Sequence, residues 1–290
     1  RDLHSFPTRR SSDLAAISDH YILAGQITQE VVEDLAAMAE VVYWDLGMRF
    51  NHNPEFDLYK AFKKKHIILY FKTPQDYSDG YDFAAKKWAP GLSQSKNFAM
   101  SAATFETSSI PFTIHKQLTN LQSDLANEVA HAWIFWHVRP QTQDAQNNGR
   151  YLPWLQEGLG IWSAMLHTGQ NFMHRVTTTK YDSNIEIAKK RGESPYKLLS
   201  KEWAEGKAKR TYTKNLAQMM MQELNRLDFM DLALAFGVLD YATRARQDQL
   251  KAFFLAMRRK PYEEAWKDGF GEDLVPKFEE SFRDWALKNY

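Results

Sequence analysis

Asn127-Glu128-Val129-Ala130-His131, inside residues 118–136, is the stretch on which the reading of this chain turns. Residues 118–136 predict one helix. Two side chains at i and i+4 of a helix lie on one face, a turn apart, and can share a metal ion. A Glu directly after the first ligand reaches the water that the metal activates and acts as general base, which is the logic of His-Glu-x-x-His. Here Glu128 and His131 hold the positions of base and second ligand, and Asn127 stands where the first His would be. Alone the pentapeptide is a weak sign, because a Glu and a His three apart on a helix also serve as ordinary packed or solvated side chains.

The next segment strengthens it. Beyond a polar loop at residues 139–150, Pro153-Trp154-Leu155-Gln156-Glu157-Gly158-Leu159 predicts a second helix beginning near Trp154. Glu157 follows His131 by 26 residues and is placed to be a third ligand. Gly158 would let this helix pack closely on the first. Other histidines are poor substitutes for the missing one. His137 lies ten residues past Asn127, about 15 Å along the helix, and His167 is similarly displaced from Glu157. His115 precedes the helix and stays open as a substitute, although it reads more simply as a strand or loop residue.

Towards the N-terminus the pattern is α/β. Residues 20–24 read as a short strand. Val31, Leu35, Met38, Val42 and Leu46 recur at three and four, the period of an amphipathic helix. His66-Ile67-Ile68-Leu69-Tyr70-Phe71 reads as a buried strand. Thr73, Pro74 and Asp76 then supply an N-cap, a first-turn proline and a first-turn acid. Residues 97–107 suit a strand at a sheet edge. From residue 118 onward the signal is nearly all helical, with a connection around residues 192–195. Met219, Met220 and Met221 read as packing rather than as ligands.

The 290 residues suffice for one large domain or two modest ones packed together. A hydrophobic share of 44% with 25% charged residues is the balance of a globular protein, and nine Trp, thirteen Tyr and eighteen Phe give bulk for a core. The net charge of +1 gives no electrostatic case for nucleic acid or an anionic membrane as partner. No apolar stretch approaches the roughly 20 residues of a membrane span. The absence of Cys excludes disulfides, thiolate metal sites and thiol nucleophiles, and leaves the compartment open. Residues 1–14 read as the translation of a sequencing adapter carried into the gene, so the true N-terminus, with any signal peptide, is expected to be missing.

In the order and spacing of these elements the chain resembles the gluzincin-type zinc metallopeptidases, specifically the peptidase-MA-like family common in bacteria. Tyr262-Glu263-Glu264-Ala265-Trp266 through Phe270-Gly271, followed by a closing helix, matches the end of that family's helical half. The resemblance spans nearly everything after Ala15. It implies an α+β, zincin-like fold: a small mixed sheet with helices, an active-site helix and a helical C-terminal half. Residues 15–175 would form the α/β part with the metal-site helices, and residues 176–290 the helical part of the same catalytic unit. It implies a hydrolase that cleaves peptide bonds with metal-activated water. Glu128 would be the general base, His131 and Glu157 the zinc ligands, and Asn127 the occupant of the other ligand position. A His or Tyr from the C-terminal half would stabilise the oxyanion; Tyr212 is a candidate, although it reads more simply as a core or surface Tyr. The substrate would be a peptide or protein, paired as a strand against residues 97–107. The implied setting is export or the cell envelope; nothing in the sequence speaks to oligomeric state.

Asn127 bears on all of this. Its neutral amide oxygen is a poor zinc ligand beside imidazole, and the loss should cost at least about 1.4–2.7 kcal/mol of metal affinity. Three accounts stay open: a pseudoenzyme that keeps the fold as a peptide- or protein-binding module, an enzyme with weakened zinc binding, or a one-base error in the codon. A fourth abandons the resemblance for an α-rich interaction protein.

Overall fold

The computed structural model describes residues 14–50, 65–88, 102–105, 112–115, 120–138, 152–170, 181–271 and 275–290. Five short strands are laid down first: β1 (Leu14–Ile17), β2 (Tyr21–Gly25), β3 (His66–Tyr70), β4 (Ala102–Phe105) and β5 (Phe112–His115). Helix α1 (Gln29–Arg49) joins β2 to β3, and α2 (Pro74–Trp88) follows β3. The strands form one mixed sheet in the order β1-β2-β3-β5-β4. β2, β3 and β5 run parallel, which requires crossovers such as the one α1 supplies, while β1 and β4 pair antiparallel at the two edges.

All five residues of β3 are buried, as its β-branched and aromatic run predicts for a central strand. Its alternation sorts the two faces. Ile68 and Tyr70, with Tyr21 and Leu23 of β2, join the core beneath α1, while Ile67 and Leu69 pack with Tyr77 and Tyr81 of α2. The predicted start of α2 is present, with the Asp76 amide donating to Thr73 Oγ1 at 3.1 Å. β4 falls inside the expected edge strand. The sequence reading missed β1 and β5, each four residues long and too short for alternation to register. Leu14, grouped with residues 1–13 in the sequence reading, pairs with Gly25 and belongs to the sheet; residues 1–13, and the expected loop at 139–150, lie outside the described residues.

The helices that follow are α3 (Leu121–His137), α4 (Pro153–Thr168), α5 (Asp182–Arg191), α6 (Pro195–Ala208), α7 (Leu216–Met220), α8 (Phe229–Ala245), α9 (Gln247–Met257), α10 (Tyr262–Phe270) and α11 (Pro276–Asn289). Residues 123–134 of α3 and 153–164 of α4 are buried without a break. Helices covered on all sides belong in the interior. Accordingly α3 lies between α1 and α4, and α4 between α3 and α8. One apolar cluster runs from Tyr21 through these helices to Ala286, so the sheet and the helical half share a core. Met219 and Met220 are buried in it, whereas Met221 is exposed. The result is an α+β protein, mostly helical, with a small mixed sheet. Among the described residues no helix is long and apolar enough to cross a membrane.

Gly158 does ease a close helix contact, but with a different partner from the one expected. A Cβ there would fall 2.8 Å from the backbone oxygen of Ala235 on α8, so Gly158 seats α4 on α8 rather than on α3. Backbone gives way far less readily than a side chain. Gly158→Ala is therefore expected to destabilise the fold by roughly 1–3 kcal/mol in urea unfolding. A variant with the wild-type midpoint would contradict this contact.

Candidate functional site

α3 and α4 meet at Gly160. A Cβ on Gly160 would stand 2.5 Å from His131 Nε2 and 2.7 Å from Asn127 Nδ2. Both side chains, a turn apart on α3, therefore lie directly against the backbone of α4. Glu157 sits three residues before Gly160, on the adjoining turn of the same helix. Its Oε2 comes within 4.0 Å of His131 Nε2. On the other side of the imidazole, Glu128 Oε2 lies 4.0 Å from Nδ1. All four side chains are buried, at 2% exposure for Asn127, 1% for Glu128, 0% for His131 and 3% for Glu157.

Two ligands of one tetrahedral zinc ion stand about 3.4 Å apart when each is about 2.1 Å from the metal. The 4.0 Å between His131 and Glu157 closes to that with shifts of a few tenths of an ångström. Among the described residues, Asn127 Oδ1 is buried with no hydrogen-bond partner, a state that costs roughly 1–3 kcal/mol unless something fills it. Imidazole and carboxylate fit a zinc ion, and the amide oxygen adds a third, weaker donor. Among the described residues no three His, Cys, Asp or Glu side chains converge as a metal site.

Three residues that sequence reasoning passed over belong to this polar island. Asp124 lies one turn before Asn127 and Glu128 on the same face of α3. Burial and the neighbouring Glu128 carboxylate push it up to about 7. Tyr70, at the end of β3, has its phenol raised well above the usual value by burial, then by Asp124 and Glu128. Tyr196, in the first turn of α6, is raised by burial and by Glu157, and among the described residues its hydroxyl has no hydrogen-bond partner. The helical period alone could have found Asp124; nothing local marks Tyr70 or Tyr196.

Tyr212 stands apart from this group. Its ring packs on Gly206, ten residues past Tyr196 and so about 15 Å along α6, and it is 39% exposed. None of its described contacts reaches Glu128, His131 or Glu157, so its position gives no support to an oxyanion role. His137 is held by Tyr43, with 3.1 Å between Nε2 and the phenol, and His167 accepts or donates at Ser163 and Asp45. His115 is a residue of β5, as a strand reading allowed. Two surface cavities among the described residues lie elsewhere: one of about 570 Å³ is lined mainly by α5, α6 and α11, and one of about 560 Å³ by α1 and α4. Neither is lined by Asn127, Glu128, His131 or Glu157.

A scan against known protein families finds no match to this chain, and a search of curated proteins finds none.

Asp124 gives a test of the buried charge. Its carboxyl titrates near 4 when unfolded and at about 7 when folded, so ionising it opposes folding. Its contribution to stability is fully present below about pH 4, falls as the pH rises to about 7, and is constant beyond. In metal-free protein, Asp124→Asn is expected to match the wild type near pH 4 and to exceed it by roughly 2–4 kcal/mol at pH 8. Urea unfolding at the two pH values checks this, and an equal difference at both would refute it.

Proposed function

We propose that this chain is a zinc-dependent, peptidase-like protein of the gluzincin type that hydrolyses peptide bonds. His131 and Glu157 would hold the metal, with Asn127 as a weak third donor and Glu128 as general base. The observation that carries this reading is the 4.0 Å approach of His131 Nε2 to Glu157 Oε2 across two helices. Zinc, when bound, supplies a Lewis acid that polarises a carbonyl and lowers the pKa of water to about 7. Glu128 takes the proton of the attacking water on its carboxylate and returns it to the departing amine nitrogen. Its burial at 1% exposure keeps the carboxylate away from bulk water. Glu157 and His131 are held in place by the α3–α4 contact, which fixes their separation without relying on a loop. β4, at the end of the sheet, offers a backbone edge to which an extended peptide could add as a strand.

One observation favours a second reading. An amide occupies position 127, and among the described residues a single imidazole faces the carboxylate, so the scaffold could bind peptide without cleaving it.

Metal content separates the two. On the first reading the purified wild type carries zinc at up to one equivalent, Glu157→Gln loses it, and Glu128→Gln keeps it while peptide hydrolysis falls by about 10²–10⁴. On the second, zinc is absent from the wild type and appears in Asn127→His. If neither the wild type nor Asn127→His takes up zinc, both readings of the site fail.

A further inference from the structure

The site's donors differ from those of a His-Glu-x-x-His centre in kind as well as in strength. With two imidazoles and a carboxylate, a centre presents two nitrogens and one oxygen. Here the described side chains offer one nitrogen, from His131, with a carboxylate oxygen from Glu157 and an amide oxygen from Asn127. A half-turn about χ2 of Asn127 exchanges its Oδ1 and Nδ2, so the amide can turn its oxygen to the point it shares with His131 beside Gly160. No second imidazole among the described side chains stands ready, because His137 is engaged by Tyr43 and His167 by Ser163 and Asp45. The surroundings add oxygen rather than nitrogen: the carboxyl groups of Asp124 and Glu128 and the phenol of Tyr70 lie together on the same side of α3.

Imidazole donors favour zinc over manganese(II), whereas carboxylate, carbonyl and water oxygens suit manganese(II). We infer that the amide at position 127 removes much of the bias towards zinc, so that the centre takes manganese(II) in competition with zinc and the resident ion follows supply. This rests on the proposed metal site formed by His131 and Glu157. It goes beyond that proposal by assigning the choice of ion to Asn127.

Equilibrium competition on metal-free protein tests it, with zinc followed by a chromophoric chelator and free manganese(II) by its electron paramagnetic resonance signal. The wild type is expected to bind one manganese(II) that zinc displaces, and Glu157→Gln to lose both ions. Asn127→His should raise the zinc-to-manganese affinity ratio by at least about tenfold, chiefly through zinc. Asn127→Asp, which preserves size and adds an anionic oxygen, should strengthen manganese(II) binding without raising that ratio, and serves should the His variant fold poorly. If zinc binds the wild type but manganese(II) does not, or if the ratio moves by less than about threefold in Asn127→His, the selectivity inference falls while the peptidase reading stands. If neither ion binds the wild type or either variant, both fall together.

Discussion

The contact of α3 with α4 at Gly160 is the constraint on which the rest of the structure depends. Only a residue without Cβ lets Asn127 and His131 rest on the neighbouring helix, since a methyl group there would sit 2.5 Å from His131 Nε2. The same approach brings Glu157, three residues earlier, within 4.0 Å of the imidazole. Gly158, two residues away and facing roughly the other side of α4, performs the corresponding service against Ala235 on α8. One helix is thereby gripped from both sides. Its carboxylate is placed by packing between helices rather than by the order of a loop.

Burial gives the polar island its chemical character. Carboxylates at Asp124, Glu128 and Glu157 and the His131 imidazole sit in a core made largely of aliphatic and aromatic side chains. Burial itself, and then repulsion from the Glu128 carboxylate, hold Asp124 up to about 7, and burial followed by both carboxylates raises Tyr70. A cation among these groups would offset that repulsion, and protons are the alternative. Asn127 adds a neutral amide to the island, with a buried oxygen that has no hydrogen-bond partner among the described residues. The position is thus polar and, among the described residues, unsatisfied, but not strongly basic.

The sheet and the helical half contribute by placement. β3 is covered on both faces, and its alternation turns Tyr70 towards α3 while Ile67 and Leu69 pack under α2. From the other direction, α6 is docked on α8, with Ser200 Oγ donating to the Ala233 carbonyl at 2.8 Å and Tyr196 packed against Phe229 and Phe236. That docking puts the Tyr196 phenol in the electrostatic reach of Glu157. A strand end and a helix start more than 120 residues apart in sequence thus border the same few side chains.

Periodicity and punctuation in the sequence determined the elements that build the site: α1 from its three-and-four pattern, β3 from an unbroken apolar run, α2 from Thr73-Pro74-Asp76, and the two buried helices carrying Asn127, Glu128, His131 and Glu157. These are local signals, because the backbone's own geometry sets the spacing of side chains along a helix or strand. Short strands such as β1 and β5 escaped, since four residues hold too few alternations to stand out. Only the tertiary structure decided that Gly160, not Gly158, faces α3, that Asp124, Tyr70 and Tyr196 join the island, and that Tyr212 stands about three turns of α6 away from Tyr196. Those outcomes depend on which faces of separate helices meet, and that is settled by packing between segments far apart in the chain, where no local spacing reaches.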